Sequence, residues 1–140
     1  MFLKVVLSML SINQVSIGEG RFKLEATITK TQDGINIYLG GGEKTHIGTV
    51  VLCQPRESLK QDGSRSVTTS ILNIVGHKDD DIAKPIAEKL CLNLNERIVI
   101  SAGVHIEKAT EAEIQKLLEM GKRLTEKIIE SIEREGNDNA

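Results

Sequence analysis

The chain has 140 residues, a formal net charge of −2 and an aromatic content of 2%, a length that suits one domain with a real core. That charge argues against a basic face for gripping nucleic acid, and the shortage of aromatics against a base-stacking platform. Cys53 and Cys91, without CxxC spacing or a cationic neighbour, read as buried small hydrophobes in a reducing cytoplasm and not as a zinc or disulfide framework.

Residues 1–18 make an apolar N-terminal extension with a single early lysine, Lys4, and no small-residue cleavage site. Its apolar run falls short of the roughly 20 residues a membrane span needs. It reads as a segment packed on the domain or on a partner subunit. The core then runs over 19–134, and 135–140 is expected to fray. No internal repeat and no interdomain linker interrupts it.

Phe22, Leu24, Ala26 and Ile28 alternate with polar residues over 21–29, the pattern of a strand buried on one face and wet on the other. Gln32-Asp33-Gly34 is a hairpin signal, and Ile35, Ile37 and Leu39 continue the alternation over 35–40. A third strand is expected over Ile47–Cys53, apolar on both sides and therefore central. The polar stretch 54–66, with Pro55 and Gly63, reads as a long surface loop, and Val67–Val75 as a fourth strand. Asp79-Asp80-Asp81 suits a helix N-terminus. Ile82, Ile86, Leu90 and Leu94 recur at helical spacing, Pro85 requires a start close to Asp80 or Asp81, and Asn93 to Asn95 closes the helix. Arg97–Ala102 is a fifth, buried strand. Thr110 and Glu113 form a capping box for a last helix carrying Ile114, Leu117, Leu118, Leu124, Ile128 and Ile132. The expected fold is a two-layer α/β (α+β) sandwich: a mostly antiparallel five-stranded sheet with two helices on one face.

The densest glycine cluster, Gly40-Gly41-Gly42-Glu43-Lys44-Thr45-His46-Ile47-Gly48, ends beside one of only three histidines; the others, His77 and His105, also lie within two residues of a glycine. Glycine permits close backbone approach, and imidazole is readily recruited to proton, phosphate or metal chemistry near neutral pH. If the first four strands form a meander, the loops bearing His46, His77 and His105 meet at one rim of the sheet. Gly41, Gly42, Lys44 and His46 then form a candidate phosphate cradle, although Walker spacing is missing. His77, Lys78 and Asp79 precede a helix N-terminus, where anions bind readily. Arg56 and Ser58 are further phosphate candidates. The meander puts them at the opposite end, so they join only if the loop folds over or another subunit brings it there. Three imidazoles with Asp79 also suit a metal site, but no HxxxH spacing supports one. Ser70 and Ser101 fall within strands and no GxSxG elbow occurs, so no catalytic nucleophile is expected.

Four stretches occur in an order and at intervals that resemble a known family: GGGEKTHIGTVVL (40–52), QPRESL (54–59), SVTTSILNIVGHKDD (66–80) with the helix IAKPIAEKL (82–90), and VISAGVHIEKAT (99–110). Over about residues 20–110 the chain resembles the small D subunit associated with gallate decarboxylase, the LpdD-like prenylated-flavin chaperones. The resemblance implies an accessory protein and not a catalyst. Such a protein binds prenylated FMN as cargo, in its reduced form, and assists its delivery to, or maturation of, a UbiD-type decarboxylase. Lys44, Arg56 and the glycine amides would serve the phosphate, and His46, His77 and His105 the edge of the isoalloxazine. A cytoplasmic homo-oligomer, most simply a dimer, is the expected form, with no membrane association. Two other classes stay open: a small metal- or histidine-dependent hydrolase using the same rim, and a ligand-free accessory subunit.

Overall fold

The computed structural model describes residues 9–76 and 79–138. The apolar start of the chain (1–8), His77 with Lys78, and residues 139–140 lie outside the described residues. The described elements follow in chain order as β1 (Ser11–Ile17), a 3-10 turn (Gly20–Phe22), β2 (Leu24–Lys30), β3 (Ile35–Gly42), β4 (Lys44–Glu57), β5 (Arg65–Asn73), α1 (Asp80–Leu94), β6 (Ile98–His105) and α2 (Glu111–Asp138).

The strands form one sheet in the order β1-β2-β3-β6-β4-β5. The simple meander expected from the sequence is thus broken: β6 inserts between β3 and β4, parallel to the former and antiparallel to the latter. Ile98 and Ile100 of the inserted strand are fully buried in the core, while Val99 and Ser101 on its other face are partly exposed. The sheet has six strands, not five. The added strand, β1, pairs with β2 along its whole length. Its helix-side positions are Ser11, Asn13, Val15 and Ile17, too polar for a clear period of two. Ser11 and Asn13 are instead satisfied by Glu135 and Ser131 of α2.

β4 outruns its expected limits. Gln54-Pro55-Arg56-Glu57 continues the strand against β5, and only residues 58–64 form a loop. Pro55 is tolerated because β6 stops pairing at Cys53, so its missing N–H costs no ladder bond on that side. α1 begins at Asp80 and ends at Asn95, whose φ of 52° makes the left-handed C-cap. The capping box of α2 is formed reciprocally: Glu113 N donates to Thr110 Oγ1 at 3.2 Å and Thr110 N donates to Glu113 Oε1 at 3.1 Å. α2 runs from Glu111 to Asp138.

One hydrophobic core fills the space between the sheet and the two helices. Leu24, Ala26 and Ile28 of β2 line up across the sheet with Gly41, Leu39 and Ile37 of β3. Ile98 and Ile100 of β6 lie opposite Ile35 and Ile37 on one side and Cys53 and Val51 on the other. Leu90, Cys91, Leu124 and Ile128 close the core from the helices. Both cysteines are free and buried, and burial pushes the Cys91 thiol up to about 12, with Cys53 beside it adding to the rise. Among the described residues no helix is long and apolar enough to cross a membrane.

Leu124 is fully buried where α2 meets the core. Leu124→Ala is expected to lower unfolding free energy by about 2–5 kcal/mol in urea denaturation; a loss under about 1 kcal/mol would mean that α2 is not integral to the fold.

Candidate functional site

Three strand ends and the start of α1 converge on one rim. β3 and β6 run parallel and both finish there, and β4 begins there. The turn at Glu43 carries the chain over the end of β6, so that Gly42 and Lys44 both pair with His105. His46 and His105 come together from β4 and β6, their ring centroids 6.4 Å apart and nearly perpendicular. The residues that lead out of β5 bring Gly76 to the same place. His46, Gly76 and His105 thus share one rim on a strand order other than the meander, while His77 lies outside the described residues.

A bulge aims His46. Thr45 pairs with Val104 and Thr49 with Ala102, so residues 46–48 of β4 oppose Gly103 alone. The extra length changes which side chains face the helices. His46 turns toward α1, while its apolar neighbour Ile47 is 60% exposed. A Cβ on Gly103 would lie 1.9 Å from the His46 carbonyl oxygen. That carbonyl accepts a hydrogen bond from Tyr38 Oη at 2.7 Å. Burial pushes the Tyr38 hydroxyl up from the usual phenol range, and the negative charge of Asp79 adds to the rise, so the group stays a donor.

Asp79 is the buried acid of the rim, 7% exposed. Sequence assigns it to capping α1, yet its side chain makes no cap bond. Its Oδ1 instead accepts from Val104 N at 2.9 Å, and its Oδ2 lies 3.8 Å from His46 Nε2. The space that Oδ2 fills is that of a side chain missing at Gly48, where a Cβ would be 1.9 Å away. His105 is half-exposed and contacts Glu107 Oε2 through Nε2 at 3.1 Å.

These groups border a cavity of about 300 Å³. Ile82 of α1, Val104 and Ile106 of the β6 end, and Ile114, Leu117 and Leu118 of α2 supply its carbon, with His46, His105, Asp79 and Asp81 supplying its polar atoms. No hydroxyl, thiol, lysine or arginine lines it among the described residues. Nor do three or more His, Cys, Asp or Glu side chains group there as metal ligands among those residues. An apolar cavity with a few convergent polar groups suits a small ligand with a polar edge.

The other residues singled out from the sequence divide clearly. Gly41 and Gly42 serve packing: a Cβ on either would lie 2.3 Å from a backbone oxygen, of Lys23 and of His105 respectively. The amides at this turn are taken, Gly42 N by Lys23 O at 3.0 Å and Glu43 N by His105 O at 2.7 Å, so they form no phosphate cradle. Lys44 is exposed at the rim. Arg56 and Ser58 lie at the opposite end of the sheet, on the order of 30 Å along β4 from His46. There Arg56 donates to Thr68 Oγ1 and to the Glu57 carbonyl, each at 3.0 Å. Tyr38, Gly48, Gly103, Glu107 and the α2 wall are not singled out by sequence reasoning. The one signal available is that Tyr38 is the sole tyrosine and that Gly48 and Gly103 flank the histidines.

A profile of the prenylated flavin chaperone LpdD-like domain matches residues 18–133, which takes in β2 to β6 and most of α2. That match extends past the stretch of resemblance read from the motifs. The chain matches no curated protein by sequence. Its fold is similar to a chain in the crystal structure of a chaperone complex for yeast 20S proteasome assembly, with a TM-score of 0.58 and 12% identity, over 91% of this chain and 98% of that one. At that identity the likeness concerns the fold alone.

The space around each glycine predicts opposite effects for two substitutions, one at the rim and one far from it. Gly103→Ala is expected to destabilise by at least about 1–3 kcal/mol through overpacking against His46. Gly136→Ala, in α2 with open space around it, is expected to stabilise by about 0.5–1 kcal/mol. Urea melts of both variants check this; a neutral Gly103→Ala would contradict the packing described.

Proposed function

The chain belongs to the prenylated flavin chaperone LpdD-like family, and from that premise we propose that it holds prenylated FMN at the rim cavity and hands it to a UbiD-type decarboxylase. The observation that carries the reading is the make-up of the cavity: aliphatic walls from α1, β6 and α2, two imidazoles at its edge, and no nucleophile among its described lining residues. Ile82, Leu117 and Leu118 would pack on the ring faces. His46 and His105 would hydrogen-bond the heteroatoms at the ring edge, and Asp79 would hold His46 in position. The cofactor itself supplies the electron sink for reversible decarboxylation, in the enzyme that receives it.

A carrier must also release its cargo to a partner. Leu72 near the end of β5, and Ile74 and Val75 between β5 and Gly76 of the cavity wall, are exposed, Val75 to 98%. Apolar residues gathered beside a cavity mouth suit a transient protein contact. Lys44, exposed at the same rim, would meet acidic groups of the receiving enzyme. Self-association belongs to the same reading, with the helix-free face of the sheet as its surface.

The His46–Asp79 contact favours a second reading, since an imidazole oriented by a buried carboxylate is what a general base needs. A hydrolase of this kind would activate water directly. The two readings separate on co-expression with a flavin prenyltransferase. The carrier is expected to purify with flavin absorbance and to restore activity to an apo-decarboxylase. His46→Ala or His105→Ala is expected to weaken cofactor binding by about 1–3 kcal/mol in an anaerobic titration. Colourless protein that ignores added prenylated FMN, or binding unchanged in both variants, would contradict the proposal.

A further inference from the structure

We infer that the phosphate of the bound nucleotide lies in the groove between α1 and α2, on Lys89 and Lys122, and not at the glycine turn. The inference rests on the flavin reading above and concerns the other end of the ligand.

Electrostatics make the rim cavity a poor place for a phosphate. Its described lining contains two aspartates, Asp79 and Asp81, and no lysine or arginine. The amides of the glycine turn are occupied by backbone carbonyls, so they leave no donors for an anion. Arg56 is at the far end of the sheet. A dianion needs cations or free amides within reach; the rim's described lining holds no cation, and the helix N-terminus beside it carries the acids Asp79, Asp80 and Asp81.

A second cavity, of about 380 Å³, opens between the helices and shares Asp81, Ile82 and Leu118 with the first. The two are therefore neighbouring parts of one trough. Either volume alone is at the low end for a ligand site, whereas together they fall within its usual range. Gly121 of α2 forms part of the wall, where a Cβ would come within 3.2 Å of Ile82. Beyond that point the trough is bordered by Lys89 and Lys122. Lys89 follows Ile82 by about two helical turns, a rise of about 10 Å, comparable with an extended ribityl phosphate. Ring system at the rim and phosphate at the lysines thus match the two ends of one nucleotide.

Both lysines have acidic neighbours, Glu126 for Lys89 and Glu119 for Lys122. These are exposed pairs, with the lysine side chains 46% and 73% accessible. Such pairs exchange partners at little cost, and a phosphate offers each ammonium more acceptor oxygens than a carboxylate does.

The test compares prenylated FMN with its phosphatase-treated product, prenylated riboflavin, in anaerobic titrations of the full chain. Wild-type protein is expected to bind the phosphorylated form at least about tenfold more tightly. The Lys89→Gln/Lys122→Gln double variant is expected to lose about that factor for prenylated FMN and to bind prenylated riboflavin as before. Lys44→Gln should leave the ratio unchanged. Two results overturn the inference while leaving the flavin reading intact: an unchanged ratio in the double variant, or a collapse of the ratio in Lys44→Gln alone. Wild-type protein that binds neither form overturns both.

Discussion

Everything at the rim depends on two missing Cβ atoms. β4 bulges against β6 where Gly103 has no side chain, and the His46 carbonyl occupies the space left open. The Asp79 carboxylate occupies the equivalent space at Gly48. Backbone and acid are thereby brought closer to the sheet than any other residue type allows, since real Cβ contacts do not reach such distances. With the acid seated there, one of its oxygens takes the Val104 amide and the other faces His46. Tyr38 completes the arrangement by holding the His46 carbonyl. A buried carboxylate needs such donors to compensate its lost hydration.

That seating has a consequence for chemistry. The acid is committed to positioning a histidine and a strand end, the imidazoles stand at the edge of an aliphatic slot, and no hydroxyl or thiol lines the slot among the described residues. Holding and releasing a reactive aromatic cofactor asks for what is present: apolar faces, a few polar contacts of modest strength, and an open mouth with exposed aliphatic residues beside it. The cysteines, Cys53 of β4 and Cys91 of α1, are buried in the core and line neither the rim cavity nor the groove between the helices.

Much of the fold is legible in the residues. The alternation of Leu24, Ala26 and Ile28, the helical spacing from Ile82 to Leu94, and Thr110 with Glu113 each report a local preference that tertiary packing agrees with. Strand order is not local, and nothing in the period of Ile98-Val99-Ile100 says that it divides β3 from β4. β1 shows no clear period of two because Ser11 and Asn13 face the helix layer, where their hydrogen bonds with α2 replace the usual carbon. Residues 54–57 look like a loop because Pro55 and Arg56 are poor strand residues in isolation, and pairing with β5 overrides this. At the site, His46, Asp79 and His105 are visible by type. The roles of Gly41 and Gly42 are not, because a glycine that cradles an anion and a glycine that admits a neighbouring carbonyl have the same letter. The aliphatic wall from α2 is invisible for a similar reason, since Leu117 and Leu118 satisfy a core pattern equally well. His77 and Lys78 lie outside the described residues, and their part in the rim rests on sequence alone.

The most direct measurement is an amide NMR titration of the isotopically labelled protein with prenylated FMN under anaerobic conditions. A ligand seated at the rim will shift the resonances of Gly103, Val104 and Ile82 and leave those of Arg56 and Ser66, at the other end of the sheet, in place. Shifts concentrated at that other end or on the helix-free face, with Gly103 and Val104 unmoved, would contradict the account.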